Sequence, residues 1–462
     1  MIAVSLAELA ALTGGRLDGG ADPETVISGA VVVDSREVVP GGLFVAVKGE
    51  RADGHDFAAA ATAAGAAAVL AERPVAVPAV VVADSVTALG DLGRSVVDRL
   101  DQAAVVAVTG SSGKTGTKDL LSQLLAARGP LVAPPGSYNT DIGVPLTVLA
   151  ADTSTRTLIL EMGARGLGHI ARLCRIAPPT VGVVLNVGSA HLGEFGDRDS
   201  IARAKAELVE ALPVGGTAVL NGDDPVVRRM ATQTEARVLM FGASVHADLR
   251  AQDVGLDAAG RAHFRLVAPD GTAAVALTVV GEHNVANALA AAGVAHALGL
   301  RVDLVAAELS KARAISRWRM EVTERPDGIT VVNDAYNANP ESMRAALKAL
   351  VAMAGGRRTW AVLGEMRELG DASAADHDAL GRLAVRLDVN RLVAVGSAAR
   401  AVHLGAAHEG SWADEAAWVP DIGAALDLLR QQLRPGDVVL VKASRAAGLE
   451  RLAEALVAEA AP

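Results

Sequence analysis

The chain has 462 residues, 51% of them hydrophobic and 21% charged, enough for several buried cores and about three domains at roughly 150 residues each. A net charge of −10 with no basic stripe and only 2% aromatic residues argues against a nucleic-acid binder. The single cysteine, Cys174, has no internal disulfide partner and suits a reducing cytoplasm; the start, MIAVSLAELAALTGG, lacks the basic-then-apolar form of a signal peptide, and no stretch is apolar enough to span a bilayer.

Residues 1 to about 100 carry short apolar runs, GAVVVDSR, LFVAVKGE, AAAVLAER and AVVVADS, each ending in polar or glycine-containing turns. They predict a small mixed α/β unit, and the alanine-rich AAAATAAGAAAVL predicts helix. From about 103 strand-like runs (AVVAVTG, TLILEMG, VGVVLNVG, TAVLNGDD, VLMFG) alternate with helical spacing in KDLLSQLLAAR and SIARAKAELVEAL. That alternation predicts a mainly parallel, doubly wound sheet. DAAGR and APDGT, between 247 and 281, predict hairpin turns. A further alternating region begins near 320 with ITVVNDAY, RTWAVLGEM, RLVAVG and DVVLVKAS. Within it, Asn339 is the expected N-cap of a helix that has Pro340 at its first position. The fold class is α/β in three domains, 1–101, 102–314 and 315–462.

The stretch VVAVTGSSGKTGTKD is a strand, a glycine-rich turn and a helix start, the arrangement that surrounds a phosphate with backbone N–H groups. Its spacing is Gly110-Ser111-Ser112-Gly113-Lys114-Thr115-Gly116, whereas the common phosphate loop has another glycine five places before the second, where this chain has Val108. In a nucleotide site Lys114 reaches the β- and γ-phosphates and Thr115 binds Mg²⁺; the alternative is a plain strand-to-helix turn with an incidental lysine. Glu161 ends the strand of LILEMGA, and Asn186 and His191 follow that of VVLNVGSAH. Carboxyl ends of parallel strands are where ligands gather, so Glu161 is either a metal ligand or an ion-paired strand end, and His191 either a ligand or a hydrogen-bonded surface residue. Lys205 shares an apolar stripe with Ile201, Ala204, Leu208 and Leu212, and either snorkels outward or turns inward as a modified lysine.

Together these residues resemble the Mur ligases, ATP-dependent enzymes that extend the peptide of cell-wall precursors. The resemblance covers essentially the whole chain, and the shorter Gly-x-x-Gly-Lys-Thr loop is that family's form. Further matches are NTDIGVPLTVL from Asn139, AKAEL with Lys205, LNGDDP with Asn221 and Asp223, and GEHNVANALAA with His283, Asn284 and Asn287 beside the nucleotide. The resemblance implies that Glu161 and His191 bind Mg²⁺, and that Lys205 is carbamylated and helps hold a second Mg²⁺. Lys114, Lys205 and His191 are then the catalytic set.

NDAYNANPESM and VKASRAAGLE resemble the blocks of members that add D-alanyl-D-alanine to UDP-N-acetylmuramoyl-tripeptide through an acyl phosphate. This implies Asp334 and Asn337 near ATP, with Arg319, and Lys442, Ser444 and Arg445 around the dipeptide. DSREVVPGGLFVAVKGERADGHDF resembles the UDP-sugar-binding domain, implying contacts from Ser35, Arg36, Lys48, Asp53, Gly54 and His55. The resemblance also implies a P-loop-type central domain and a Rossmann-like C-terminal domain; with no coiled coil or obvious interface in the sequence, a monomer is expected. Four positions depart from the family pattern: Gly116 for a hydroxyl residue, Trp318 and Ala443 for glycines, and His169 where an acid is frequent. A guanine-nucleotide switch is disfavoured, because no N-K-x-D motif is present.

Overall fold

The computed structural model describes residues 1–49, 52–188, 192–411 and 415–459; the candidate His191 lies outside them. Each of the three segments is built on a sheet of its own. The first holds five strands in the order Arg16–Asp18, Ala79–Val81, Ala68–Ala71, Leu43–Val45 and Val31–Val32, all parallel except the first pair. The alanine-rich run, expected to be helix, divides here. Ala58–Ala63 forms a short helix, and Ala68–Ala71 becomes a buried strand beside Leu43–Val45. A fully buried apolar run of four serves a sheet as well as a helix, so its neighbours decide.

The central sheet has nine strands. From Leu249–Leu256 through Arg237–Gly242, Thr217–Asn221, Val181–Val184, Ala104–Thr109 and Thr157–Glu161 to Leu131–Val132 every pairing is parallel. The interior strands are runs of Val and Leu because helices cover both faces. Arg261–Ala268 and Gly271–Val280 add the antiparallel hairpins expected from DAAGR and APDGT. Ala104–Thr109 lies between Thr157–Glu161, later in the chain on one side, and Val181–Val184 on the other. Strand order reverses there, and such a reversal opens a crevice beyond the carboxyl ends of the strands.

The third sheet runs Glu321–Glu324, Thr330–Asn333, Val438–Lys442, Thr359–Leu363, Arg391–Val395 and Ala416–Val419, parallel after its antiparallel first pair. Helix Pro340–Ala354 starts as expected: Asn339 caps Ser342 in a reciprocal box, and Pro340 occupies the first turn. The first segment joins the second through one continuous apolar core, where helix Ser85–Val97 packs on Gly143–Leu149. Leu89 and Leu92 on that helix are fully buried, each contributing about 1.5–3 kcal/mol of transfer free energy. The glycine face of the same helix lets Pro145 come close, since a Cβ on Gly93 would stand 3.3 Å from the Pro145 Cβ. No helix among the described residues is long and apolar enough to cross a membrane.

Candidate active site

The glycine loop follows strand Ala104–Thr109 and ends at Gly113, whose φ of 85° precedes helix Lys114–Leu124. Gly113 is required twice over. Its backbone is left-handed, and a Cβ there would stand 2.6 Å from Asn287 Oδ1. Gly110 is held by a close approach, its Cβ position lying 2.9 Å from Leu185 Cβ. Asn287 also lies against Gly116, where a Cβ would stand 3.1 Å from its Nδ2. The same amide donates to Asn284 Oδ1 at 3.0 Å and accepts from the Thr117 hydroxyl at 3.3 Å, binding helix Asn284–Ala297 to the loop helix.

Asn186, at the end of the next strand, shapes the loop from the other side. Its Oδ1 accepts from the Ser112 N–H at 2.9 Å and its Nδ2 donates to the Ser112 carbonyl at 3.2 Å. The Gly188 N–H donates to Ser111 Oγ at 2.9 Å. Lys114 Nζ donates to the Gly110 carbonyl at 2.6 Å, so the ammonium lies over the loop it would serve.

Beneath it is a compact oxygen-rich cluster. Thr115 Oγ1 donates to Glu161 Oε2 at 3.0 Å, and Asn139 Nδ2 donates to Glu161 Oε1 at 2.8 Å. Arg319 reaches in from the third segment, its Nη2 donating to Thr115 Oγ1 at 3.3 Å and to Ser137 Oγ at 3.1 Å. Glu161 is only 1% exposed. Ser137 belongs to this cluster but was missed in the sequence. It sits 24 places before Glu161 in an irregular turn, PPGSYNTD, where no spacing rule points to a site.

Lys205 is 3% exposed on helix Arg198–Glu210, and Ile201, Ala204 and Leu208 on the expected stripe are fully buried. It turns inward; snorkelling is excluded. Burial first, and the nearby Lys114 cation second, push its ammonium down to about 7.

On the C-terminal side, Lys442 Nζ donates to Asp334 Oδ2 at 2.6 Å and to the Asn337 carbonyl at 2.9 Å. Lys442 is 1% and Asp334 7% exposed; burial lowers the ammonium, and Asp334 opposes the shift. Asn339 Nδ2 donates to the Ser111 carbonyl at 3.4 Å, so the third segment touches the loop directly.

The loop from Ser111 to Gly116, Glu161, Asn139, His283, Asn284, Asn287, Arg319, Asp334, Asn337 and Lys442 all border one cavity of about 1040 Å³, and Gly110 and Lys205 do not. Tyr336, a residue of the YNANP block with no role expected from the sequence, lines it too. Ser444 and Arg445 do not. The Ser444 hydroxyl accepts from the Arg367 N–H at 2.9 Å, and Arg445 is ion-paired to Glu450. A second groove of about 640 Å³ shares Thr140, Arg165 and His169 with the cavity and extends to Val86 of the first segment. There His169 pairs with Asp141 at 2.9 Å, its alternative to the family's acid.

None of the six N-terminal candidates borders the cavity. Ser35 and Arg36 form a short turn capped by Asp34, with Arg36 salt-bridged to it and exposed. Lys48 pairs with Asp53 across a β-bridge, and Gly54 packs where a Cβ would stand 2.7 Å from the Val47 backbone. Both nitrogens of the buried His55 ring are engaged. Its Nε2 accepts from the Glu72 N–H at 2.8 Å, which leaves the proton on Nδ1 for Asp53 Oδ1 at 2.6 Å.

Three family models match the chain: the Mur ligase family catalytic domain over residues 29–108, the Mur ligase middle domain over 108–295, and the Mur ligase glutamate ligase domain over 318–445. The UDP-N-acetylmuramoyl-tripeptide–D-alanyl-D-alanine ligase of Mycobacterium bovis is 51% identical, over 99% of this chain and 98% of its own. The chain belongs to the Mur ligase family. The enzyme of the same name from Escherichia coli is 35% identical over 99% of both chains. A crystal structure of MurF from Acinetobacter baumannii superposes with a TM-score of 0.88 at 33% identity, covering 99% of each chain. That of the MurF ligase of Thermotoga maritima in complex with ADP gives 0.80 at 34% identity, covering 94% of this chain and 98% of its own. As a Mur ligase, this chain is an ATP-dependent ligase of peptidoglycan synthesis.

Proposed function

We propose that this chain joins D-alanyl-D-alanine to UDP-N-acetylmuramoyl-tripeptide, with ATP cleaved to ADP and phosphate. The observation that carries this reading is the shared cavity: the ATP loop and the Asp334–Asn337–Lys442 group line the same space. A carboxylate is a poor electrophile, so its oxygen first attacks the γ-phosphorus and ADP leaves. The dipeptide amine then attacks the acyl carbon, the phosphate departs with the former carboxylate oxygen, and the amine gives up a proton. The chain contributes positioning and charge. Lys114 neutralises the transferring phosphoryl group, and Arg319, held at the Thr115 hydroxyl, adds a second positive charge. The segments 1–101, 102–314 and 315–462 take the sugar nucleotide, ATP and the dipeptide respectively, and their closing over the crevice keeps water from the acyl phosphate.

Magnesium fits the donor set. Glu161 and the Thr115 hydroxyl are hard oxygen donors of the kind that ion takes. When bound there the ion supplies charge neutralisation at the phosphates; His191 is the further candidate ligand. Lys205 suits carbamylation, since an amine held near 7 is substantially uncharged and nucleophilic towards CO₂ at neutral pH. A carbamate carbon signal after exposure to ¹³C-bicarbonate, absent in Lys205→Met, supports that modification; no difference between the two refutes it.

Ser35, Arg36, Lys48, Asp53 and Gly54 are assigned to the uridine end of the acceptor, with His55 ordering their turn, and Ser444 and Arg445 to the dipeptide side. Raised KM for the acceptor in Arg36→Ala and for the dipeptide in Arg445→Ala checks each. The chain acts as a cytoplasmic monomer, a state that sedimentation tests. The reaction is tested with an acceptor carrying ¹⁸O in its terminal carboxylate. A pentapeptide product with one ¹⁸O in the released phosphate supports the route; product with unlabelled phosphate excludes the acyl phosphate.

A further inference from the structure

Trp318 stands where the backbone would favour glycine. Its φ is 57°, and Met320 two residues on has 47°. The guanidinium that enters the ATP site, Arg319, is therefore presented from between two left-handed residues. Such conformations cost free energy and persist only where the surroundings fix them. Those surroundings are unusually complete. The Trp318 carbonyl accepts from the Tyr336 N–H at 3.2 Å, the Trp318 N–H donates to Glu321 Oε2 at 3.0 Å, and the Met320 N–H donates to Asp334 Oδ1 at 3.1 Å.

The ring does more than fill space. It stacks on Tyr336 with centroids 6.5 Å apart and planes inclined by 29°, and Arg319 lies over the Tyr336 ring at 4.3 Å. Its indole N–H donates to Glu454 Oε1 on the last helix at 3.0 Å. Arg445 lies over the indole at 4.1 Å and Arg317 at 5.1 Å. A chain of contacts, Arg445–Trp318–Tyr336–Arg319, thus runs from the dipeptide-side segment to the hydroxyls of Thr115 and Ser137.

We propose that Trp318 is a positioning residue: its ring fixes the Tyr336 face on which Arg319 rests and so holds that guanidinium against Thr115 and Ser137. A glycine at this position would relieve the backbone and lose the platform. The inference rests on the phosphoryl-transfer role given to Arg319 above.

Two variants test it. Trp318→Gly tolerates the left-handed backbone, so its melting temperature indicates whether the fold survives; Trp318→Phe keeps a smaller aromatic face and loses the indole N–H with the second ring. The expected result is a kcat about tenfold lower in Trp318→Gly, the size of loss that a small misplacement produces, with Trp318→Phe within about twofold of the parent. The measurement uses whichever amine the parent accepts, so a wrong substrate assignment does not spoil it. Affinity for a non-hydrolysable ATP analogue, read by calorimetry, needs no amine and is expected to fall in the glycine variant and not in the phenylalanine one. Unchanged kcat and analogue affinity in Trp318→Gly overturn the proposal. So do equal losses in both variants, or a kcat loss that merely tracks a lowered melting temperature.

Discussion

The Thr115 hydroxyl donates to the buried Glu161 carboxylate at 3.0 Å, tying the first turn of the loop helix to the end of the neighbouring strand. Replacing Glu161 by Gln keeps the shape and an acceptor for Thr115 but removes the negative charge that a divalent ion needs. Glu161→Gln is expected to lose at least about a hundredfold in turnover, a typical cost of removing one electrostatic contact at the reacting centre, with its melting temperature little changed. Steady-state phosphate release and calorimetry on the same preparation check both halves.

Gly113→Ala combines a left-handed φ of 85° with a Cβ 2.6 Å from Asn287 Oδ1. About 1–3 kcal/mol of strain is expected from the backbone alone. A lowered unfolding midpoint in denaturant together with weakened ADP binding is the expected outcome. Native stability in that variant would contradict both the backbone strain and the Asn287 contact.

Asp334 and Lys442 form a buried pair at 2.6 Å. Removing one partner leaves a charge in a dry site, which costs about 3–5 kcal/mol, whereas replacing both is far milder. Asp334→Asn is therefore expected to be strongly destabilised, and Asp334→Asn with Lys442→Met to recover most of the loss without recovering turnover. Chemical denaturation of the two variants decides the point.

Cys174 is buried beside Met162, and burial pushes its thiol up to about 12. A raised acid binds its proton more tightly in the folded state, so this contribution is intact below the ordinary thiol range near 9. It is lost progressively between about 9 and 12 as the unfolded chain ionises first. Labelling of the native protein by a thiol reagent at pH 8 is expected to be slow and to accelerate on unfolding. Fast labelling without unfolding would contradict the buried thiol.

Much of this was legible in the sequence because local chemistry and global fold agree there. The loop residues from Gly110 to Thr115 announce themselves by spacing, Asn339 and Pro340 by capping rules, and Lys205 by being a lysine on an apolar stripe. Ser137 and the Trp318–Tyr336 stack did not. Both depend on contacts between residues far apart in the chain, Ser137 with Arg319 and Trp318 with Glu454, and no periodicity encodes such meetings. The alanine run at 58–70 was helix only in its first half for a related reason, since small residues fit a helix and a covered strand equally well.

The central claim is most directly tested by phosphate release from the purified chain with ATP, Mg²⁺, UDP-N-acetylmuramoyl-tripeptide and D-alanyl-D-alanine, leaving out one component at a time. The expected result is release that requires all four, accompanied by a pentapeptide of the right mass. Release that ignores the dipeptide but responds to another amine would contradict the substrate assignment while leaving the ATP site in place.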